Sequence, residues 1–96
     1  MADISMKHPH GLTLEEAKVK VEQIVNDVQA EFPALVQKIN WNTEKTNATV
    51  KGKGFDGDFR VDDTNVGIDI NLKLFAKPFK GKVKEKIEAR VSQYFG

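Results

Sequence analysis

The sequence predicts an α+β fold: a two-layer sandwich in which a mainly antiparallel sheet carries two amphipathic helices on one face. Five segments alternate apolar and polar residues, as half-buried strands do, and two longer segments place apolar residues at helical spacing. The predicted order is β-α-β-β-β-β-α within one domain of 96 residues. Short turns join the four consecutive strands, which favours antiparallel pairing, while the order of the strands in the sheet stays open.

The first strand is predicted over Ala2–Lys7, where Ile4 and Met6 alternate with polar residues. Proline and glycine interrupt regular structure. The segment His8-Pro9-His10-Gly11 is therefore expected to end this strand and to lead into a helix.

The first helix has a sequence signal at each end. Thr13 is an N-cap residue and Glu16 lies three positions later, so the pair forms a capping box. Pro33 is expected to stop the helix, because a proline pushes the residue before it out of the helical region. The helix is predicted from Leu14 to Glu31, about 27 Å at 1.5 Å per residue. Its apolar stripe consists of Leu14, Ala17, Val21, Ile24, Val25, Val28 and Phe32.

Three short strands are predicted in the middle of the chain. The first begins near Ile39, and the residues before it, Ala34–Lys38, fit either a helical turn or the lead into the strand. The other two are predicted over Ala48–Lys53 and Asp58–Val61, with glycines between them that permit a bulge or a tight turn. Turns rich in Asn and Asp flank these strands.

The last third of the chain combines the longest predicted strand with a basic helix. Apolar residues alternate over Val66–Leu74. After the segment Pro78-Phe79-Lys80-Gly81, which interrupts regular structure, apolar residues recur four positions apart and form one face of a helix. These residues are Val83, Ile87, Val91 and Phe95.

Charge is distributed unevenly along a chain whose formal net charge is only +1. Seven of the fifteen Lys and Arg residues lie between Lys73 and Arg90, against Glu85 and Glu88 alone, so this segment carries +5. The remaining eight basic and twelve acidic residues give the rest of the chain −4. The total gives no general attraction to nucleic acid, whereas the asymmetry creates a positive region if the lysines share a face.

The composition excludes several classes of protein. A hydrophobic content of 40% and a charged content of 30% are typical of a folded domain and not of a disordered chain. Without cysteine, the chain has no disulfide, thiolate nucleophile or thiolate metal ligand. No segment has the apolar length of a signal peptide or of a membrane span, so a cytoplasmic location is expected.

The glycine-rich segment Gly52–Gly57 approaches two nucleotide-related motifs without meeting their requirements. It matches the letters of the dinucleotide-binding fingerprint, but that site needs a helix N-terminus after the glycines, and a strand is predicted there. Lys51–Phe55 approaches the RNA-stacking motif, which needs aromatic residues at its third and fifth positions, whereas lysine holds the third. Neither a cofactor nor nucleic acid is expected to bind.

Neither the histidines nor the aspartates predict a catalytic or metal site. His8 and His10 would share a strand face, but no third ligand is evident, and His10 is interpreted as a turn residue. Ser5 and Ser92, the only serines, belong to no nucleophile signature. The chain is therefore predicted not to be an enzyme and to hold no metal. The aspartates that fit turns and not the calcium-loop pattern are Asp56, Asp58, Asp62 and Asp63.

The basic helix is the candidate interaction surface, and the aromatic residues that flank it are candidates for an exposed apolar patch. These residues are Phe75, Phe79, Tyr94 and Phe95. Lysine pairs four apart, such as Lys82 and Lys86, oppose helix formation by about 0.2–0.5 kcal/mol each, so folding alone does not explain them. Two interpretations stay open: a solvated helix face, or a surface for anionic groups. The residues assigned to the surface are Lys77, Phe79, Lys80, Lys82, Lys84, Lys86 and Arg90.

A set of residues spread over nearly the whole chain matches the pattern of a known family. They are Ile4, Met6, His8-Pro9-His10-Gly11-Leu12, Glu16-Ala17, Trp41, Phe55-Asp56-Gly57, Leu72, Leu74, Phe75, Pro78, Lys80, Gly81, Val83 and Ile87. In this order and spacing the chain resembles the small bacterial family named for the polyhydroxyalkanoic acid system, also called the polyhydroxyalkanoate granule region family. It departs from the pattern at Pro33–Ile39, which is longer than the usual connection.

The resemblance implies an accessory, non-enzymatic role in a bacterial cytoplasm and supplies no catalytic residues. The leading hypothesis is a protein that binds a polyhydroxyalkanoate granule surface, or a partner on that surface, through the basic C-terminal helix. The alternative is a small carrier of an apolar ligand, by analogy with helix-grip folds, which requires a cavity of at least about 300 Å³ between helix and sheet. The identity of the partner and the oligomeric state stay open.

Overall fold

The computed structural model describes residues 3–33 and 36–95, and its elements follow the predicted order, which confirms the α+β class. A 3₁₀ helix at Leu74–Phe79 joins the last strand to the last helix. The strands and α-helices are β1 (Ile4–Pro9), α1 (Leu14–Glu31), β2 (Lys38–Trp41), β3 (Asn47–Gly52), β4 (Phe55–Val61), β5 (Asn65–Leu72) and α2 (Lys80–Phe95).

All neighbouring strands pair antiparallel, in the order β1-β5-β4-β3-β2. The chain starts at one edge, crosses the sheet through α1, and returns strand by strand to the place beside β1. With strands about 4.8 Å apart, the crossing from β1 to β2 covers about 19 Å, which the roughly 27 Å length of α1 spans. The strand order therefore follows from one long helix and the short hairpin connections after it.

Both helices cover the same face of the sheet, and the core lies between them and the strands. Phe55 and Phe59 on the central strand β4 are fully buried and are the largest side chains of the core. Burying a side chain of this type contributes roughly 1.5–3 kcal/mol. The buried helix residues belong to the stripes that the sequence predicts. They are Ala17, Val21, Ile24, Val25, Val28, Val83, Ile87 and Val91.

Capping contacts confirm the predicted boundaries of α1. The Thr13 hydroxyl accepts a hydrogen bond from the Glu16 amide at 3.2 Å and donates to the Glu16 carboxylate at 2.9 Å. At the other end, the Phe32 amide donates to the Val28 carbonyl at 2.9 Å. Phe32 itself leaves the helical region immediately before Pro33. The capping box therefore sets the first turn, and the proline sets the last.

Several strand boundaries differ from the prediction. β1 continues to Pro9, because a proline is tolerated on the outer side of an edge strand, where no donor is needed. β4 begins at Phe55 and not at Asp58, because the turn before it occupies only residues 53–54. β2, β3 and β5 each begin one residue earlier than predicted. Ala2 and residues 34–35, on which parts of the prediction fall, lie outside the described residues.

The prediction that Leu74 continues the longest strand is wrong. β5 ends at Leu72, and Leu74 begins the 3₁₀ helix with its side chain exposed. The strand ends there because its partner β4 begins at Phe55, directly opposite Leu72. The Lys73 amide then donates to the Gly54 carbonyl at 2.9 Å, which ties the start of the 3₁₀ helix to the turn between β3 and β4.

Gly54 adopts a backbone conformation that other residues rarely adopt. Its φ is +135°, and an added Cβ would lie 2.7 Å from Cζ of Phe75 and 3.3 Å from Cβ of Ala76. The Phe75 ring therefore lies directly over the glycine, beside the fully buried Ala76. This contact fastens the 3₁₀ helix to the β3–β4 turn.

We expect Gly54→Ala to lower the free energy of unfolding by about 1–3 kcal/mol, because the backbone conformation strains a residue that has a Cβ. Gly81→Ala is the matched control. Gly81 lies in the first turn of α2 with nothing within 4 Å of an added Cβ, so this change should raise stability, by up to about 1 kcal/mol. Denaturant unfolding followed by circular dichroism measures both changes. A Gly54→Ala protein as stable as the wild type would contradict this account of the turn.

Candidate functional site

The assigned surface residues lie on the 3₁₀ helix and on α2. Lys77 and Phe79 are in the 3₁₀ helix, and the other five are in α2. Because Val83, Ile87 and Val91 face the core and are buried, the basic residues between them point outward. All seven assigned residues are exposed except Arg90, which is half-buried.

Three of the seven assigned residues form ion pairs with acidic residues elsewhere in the fold. Lys77 Nζ lies 2.9 Å from Asp3 Oδ1, and Arg90 Nη2 lies 2.7 Å from Glu31 Oε1 in α1. Lys86 Nζ lies 3.9 Å from the other carboxylate oxygen of Glu31. Sequence reasoning missed the pairs of Arg90 and Lys77, because their partners are 59 and 74 positions away in the chain.

These contacts hold the 3₁₀ helix and α2 in place. The hydrogen bond from Lys77, together with one from the Leu72 amide, lowers the pKa of Asp3. The hydrogen bond to Glu31 raises the pKa of Arg90. Close to that pair, the Tyr94 hydroxyl donates to Asp27 at 2.7 Å, which joins the last turn of α2 to α1.

Lys80, Lys82 and Lys84 are exposed and form no ion pair within residues 3–33 and 36–95. They lie at the N-terminal end of α2, where the helix dipole disfavours cations. No acidic residue lies in the first turn of this helix. Lys80 and Lys84 also repel each other, because side chains four positions apart are neighbours on a helix. The fold therefore does not need these three charges.

Large apolar side chains are exposed next to these lysines. Leu74, Phe75 and Phe79 have 84%, 60% and 53% of their surface accessible. Among the large hydrophobic residues that the structure describes, only Val19 is comparably exposed, at 58%. A cluster of exposed apolar side chains in a small protein is typical of a contact surface. We define the apolar–basic patch as Leu74, Phe75, Phe79, Lys80, Lys82 and Lys84.

One member of this patch, Leu74, was missed from the sequence. Of the four flanking aromatic residues, Phe75 and Phe79 are exposed, whereas Tyr94 and Phe95 are half-buried. Leu74 was placed in the last strand because the alternation of apolar residues continues through it, and Phe75 follows directly. Pro78 was the signal that could have corrected this, since a proline so close to a strand pattern argues that the chain has left the sheet. The structure thus adds apolar contact area to a surface that was predicted mainly from charge.

The sheet face opposite the helices carries a row of hydrogen-bonded polar side chains. Arg60 lies at its centre and bridges the carboxylates of Asp58 and Asp69, at 2.5 Å each. The Ser5 hydroxyl donates to Asp69 at 2.6 Å on one side, and the Asn47 amide donates to Asp58 at 2.7 Å on the other. An open depression of about 540 Å³ lies beside this row. Sequence reasoning missed the row, because it joins side chains from β1, β5, β4 and β3.

The row relieves a repulsion within the sheet. Asp58 and Asp69 lie directly opposite each other, and like charges in that position are destabilising. Arg60 reaches both because Gly67 leaves room, since an added Cβ there would lie 3.0 Å from the guanidinium. The hydrogen bond from Ser5 and then that from Arg60 lower the pKa of Asp69, and the bond to Asp58 raises the pKa of Arg60. Each charge in the row has a partner of opposite charge, so the row stabilises the sheet.

The histidine pair is engaged in packing. His10 is buried, its Nε2 lies 2.7 Å from the Asp62 carbonyl oxygen, and its Nδ1 accepts from the Leu12 amide at 3.0 Å. Both ring nitrogens are therefore occupied. The Phe95 ring lies near both imidazoles, with centroids 6.4 Å from His8 and 6.3 Å from His10. The described part of the chain contains no group of three or more side chains that could hold a metal ion.

The glycine-rich segment and the aspartate turn also have structural roles. Phe55 is fully buried, so its ring cannot stack on a base, and a strand follows the glycines. The Asp62 carboxylate accepts hydrogen bonds from the amides of Asn65 at 2.6 Å and Thr64 at 2.9 Å. These bonds lower the pKa of Asp62. Asp62 therefore shapes the turn between β4 and β5, as expected for a turn aspartate.

A groove of about 380 Å³ lies between β1 and α2. Met6, His8 and Val91 line it together with the polar side chains of Glu88 and Ser92. The groove is open to solvent along the outer edge of the sheet. It is therefore not the enclosed cavity between helix and sheet that the carrier hypothesis requires.

The fold and its surfaces define a small helix-on-sheet α+β protein with an apolar–basic patch at the start of its last helix. Neither α-helix of the described chain is long and apolar enough to cross a membrane. One family profile, described as "Putative polyhydroxyalkanoic acid system protein", matches residues 4–95. The chain belongs to this polyhydroxyalkanoic acid system family, as the sequence resemblance indicated. Searches of curated proteins and of solved structures gave no match.

The row on the open sheet face predicts a pH dependence of stability. Because the pKa of Asp69 is lowered on folding, its ionised form stabilises the fold above the unfolded pKa of about 3.9, and this contribution is lost as the pH falls through the lower folded value. We expect Asp69→Asn to be less stable than the wild type at neutral pH, with a difference that shrinks below about pH 4. Urea unfolding at a series of pH values measures this.

Ser5→Ala tests the role of the row through the side chain that donates a hydrogen bond to Asp69. It removes the hydrogen bond that is the largest cause of the lowered pKa of Asp69. The Ser5→Ala protein should therefore also be less stable than the wild type at neutral pH, by a smaller amount than Asp69→Asn, and this difference should shrink in acid. An Asp69→Asn protein whose deficit in unfolding free energy is as large in acid as at neutral pH would refute the role of the row.

Proposed function

We propose that this protein is a non-enzymatic accessory component of the polyhydroxyalkanoate system, located in the cytoplasm, that binds the surface of a storage granule or a protein on that surface. The observation that carries the proposal is the apolar–basic patch, where exposed apolar side chains adjoin three lysines that have no ionic partner among the described residues. The family match supplies the biological system.

The chemistry of the patch suits a granule surface, which presents hydrophobic polymer and an adsorbed coat. Full burial of a Leu or Phe side chain contributes roughly 1.5–3 kcal/mol, and Leu74, Phe75 and Phe79 each have more than half of their surface still to bury. The lysines attract anionic groups of the coat, and salt screens this attraction beyond about 10 Å at 0.1 M. Two physically different forces therefore act through one short segment.

Lys77, Lys86 and Arg90 belong to the same proposed surface but contribute less to it. Their ion pairs with Asp3 and Glu31 already offset their charge. Replacing them would also loosen the contacts that hold the 3₁₀ helix and α2. The decisive variants are therefore those at Lys80, Lys82 and Lys84 and at the exposed apolar residues.

The carrier of an apolar ligand is the second candidate, and the groove between β1 and α2 is the feature that comes nearest to a site for it, although the groove is open and not enclosed. Its volume of about 380 Å³ is enough for a small ligand. Glu88 and Ser92 line the groove beside Met6 and Val91, so an apolar ligand would desolvate polar groups without pairing them. The carrier ranks below granule binding for this reason.

Co-sedimentation with isolated granules tests the lysines of the patch. The test variant carries glutamate in place of Lys80, Lys82 and Lys84. The matched control makes the same change in net charge at three other exposed lysines. It replaces Lys38, Lys45 and Lys51, which lie on β2, β3 and the turn between them. At low salt we expect the test variant to lose binding several-fold, because attraction becomes repulsion, and the control to bind like the wild type. Equal loss in both variants, or no loss in either, would refute the patch.

The apolar part of the patch is tested at high salt, where the lysines are screened. Leu74→Ser combined with Phe79→Ser should remove the binding that remains, because it removes the area available for burial. Val19→Ser is the control, since Val19 is similarly exposed but lies on α1. Phe75 stays unchanged because its ring covers Gly54. Undiminished binding of the double variant would show that these side chains do not contact the granule.

Removal of the granule coat by protease separates the two possible targets. Binding that persists on stripped granules identifies the polymer surface, and binding that disappears identifies a coat protein. The wild-type chain and both sets of variants are compared on the same two preparations.

A further inference from the structure

The outer side of β1 is a free strand edge in the described part of the protein. β1 lies at the end of the sheet and pairs with β5 alone. The strand at the opposite edge, β2, has four residues against six in β1, and very short edge strands discourage pairing with another chain. β1 is therefore the edge to which a further strand adds most readily.

Hydrogen bonding to β5 determines which backbone groups of β1 face outward. The His10 amide donates to the Thr64 carbonyl at 3.0 Å, in the register of the β1–β5 pair. Inward and outward backbone groups alternate along an antiparallel strand, so the even-numbered residues of β1 bond to β5. The amide and carbonyl groups of Ser5 and Lys7 and the carbonyl of Pro9 therefore face outward. Because Pro9 faces outward, its lack of an amide donor removes no hydrogen bond between β1 and β5.

We propose that a second copy of this chain pairs with this edge, antiparallel, about a twofold axis at Met6. In this register Ser5 of each copy lies opposite Lys7 of the other, and the two Met6 residues face each other. The outward amide and carbonyl groups of Ser5 and Lys7 then bond across the interface. The Asp3 amide lies opposite the Pro9 carbonyl and donates to it. The two sheets become one continuous sheet.

Neighbouring registers that keep the apolar faces on one side give poorer pairing. A shift toward the C-terminus places Lys7 opposite Lys7, a like-charge pair, and moves Pro9, which has no amide donor, further into the paired region, opposite Ser5. A shift toward the N-terminus pairs only residues 4–6 of each β1 with the other β1, because it sets Lys7 and His8 opposite residues that precede the strand. The register centred on Met6 avoids the like-charge pair and pairs residues 4–8 of both strands.

Side chains on both faces of β1 suit a second copy. On the helix side, Met6 is half-buried, so the Met6 side chain of the second copy can pack against it directly. On the open side, Lys7 is exposed and forms no ion pair in the described residues of its own chain. The proposed register brings it beside Ser5 of the other copy, next to Asp69. Charge complementarity on the open face and the apolar Met6 pair on the helix side both favour this occupant.

The twofold axis is perpendicular to the sheet, so both α2 helices lie on the same side of the combined sheet. The inference stands independently of the proposed function. If the dimer and the proposed function are both correct, the two apolar–basic patches of a dimer can contact one granule surface at the same time. Two linked sites bind such a surface more tightly than one site does.

Sedimentation of the full chain and cysteine cross-linking test the dimer and its register. The chain has no cysteine, so Met6→Cys introduces a single thiol. Directly opposed residues of this type of pair have Cα atoms about 4.5 Å apart, within the range of a disulfide. We expect the wild type to sediment as a dimer and Met6→Cys to form an intermolecular disulfide under mild oxidation. His8→Cys, which lies opposite Ile4 of the other copy, is the matched control and should not cross-link.

Lys7→Pro separates loss of the dimer from loss of the fold. It removes an outward amide that the monomer does not use, so the variant should sediment as a monomer with the wild-type circular dichroism spectrum. If Lys7→Pro fails to fold, Lys7→Glu gives the same test by placing a carboxylate beside Asp69 of the other copy. A wild-type chain that stays monomeric at every concentration overturns the proposal, whether or not another protein or an apolar ligand then occupies the edge. Equal cross-linking at positions 6 and 8 also overturns it.

Discussion

Both helices must cover the same apolar face of the sheet, and the other features of this protein depend on that requirement. A chain of 96 residues has enough apolar surface for one modest core. α1 crosses the sheet over the central strand, where Phe55 and Phe59 are fully buried. α2 completes the cover on the side of β1 and β5. The described residues consequently leave the opposite sheet face and the outer edge of β1 uncovered.

The basic residues of α2 fall into two groups, according to whether they lie beside α1. Arg90 and Lys86 lie where α2 meets α1 and pair with Glu31, so the fold uses their charge. Lys80, Lys82 and Lys84 lie at the other end of the helix, where the dipole and their mutual repulsion make them slightly unfavourable. Folding does not account for these three lysines or for the exposed apolar side chains beside them, and for this reason we propose that they contact a surface outside the chain.

The uncovered sheet face and the β1 edge differ in how completely their polar groups are satisfied. On the face, Arg60 pairs with both aspartates, and Ser5 and Asn47 complete the row. The edge has outward amide and carbonyl groups that β5 cannot reach. A polar face with its charges paired is stable in water, whereas a long free edge is a template for another strand. For this reason we infer that a second copy pairs with the β1 edge and not with the open face of the sheet.

Short-range signals were enough to predict most of the fold. Thr13 and Pro33 define both ends of α1, and period-two alternation located all five strands, because these signals act between residues close in the chain. Leu74 shows the limit, since its exposure depends on where β4 begins. Arg90 shows the same limit for the site, because its ionic partner lies 59 positions away. The sequence by itself determined the elements, their apolar faces and the excess of positive charge near the C-terminus. Only the tertiary structure decided the strand order, the exposed apolar residues and which cations remain unpaired, because these depend on contacts between distant residues.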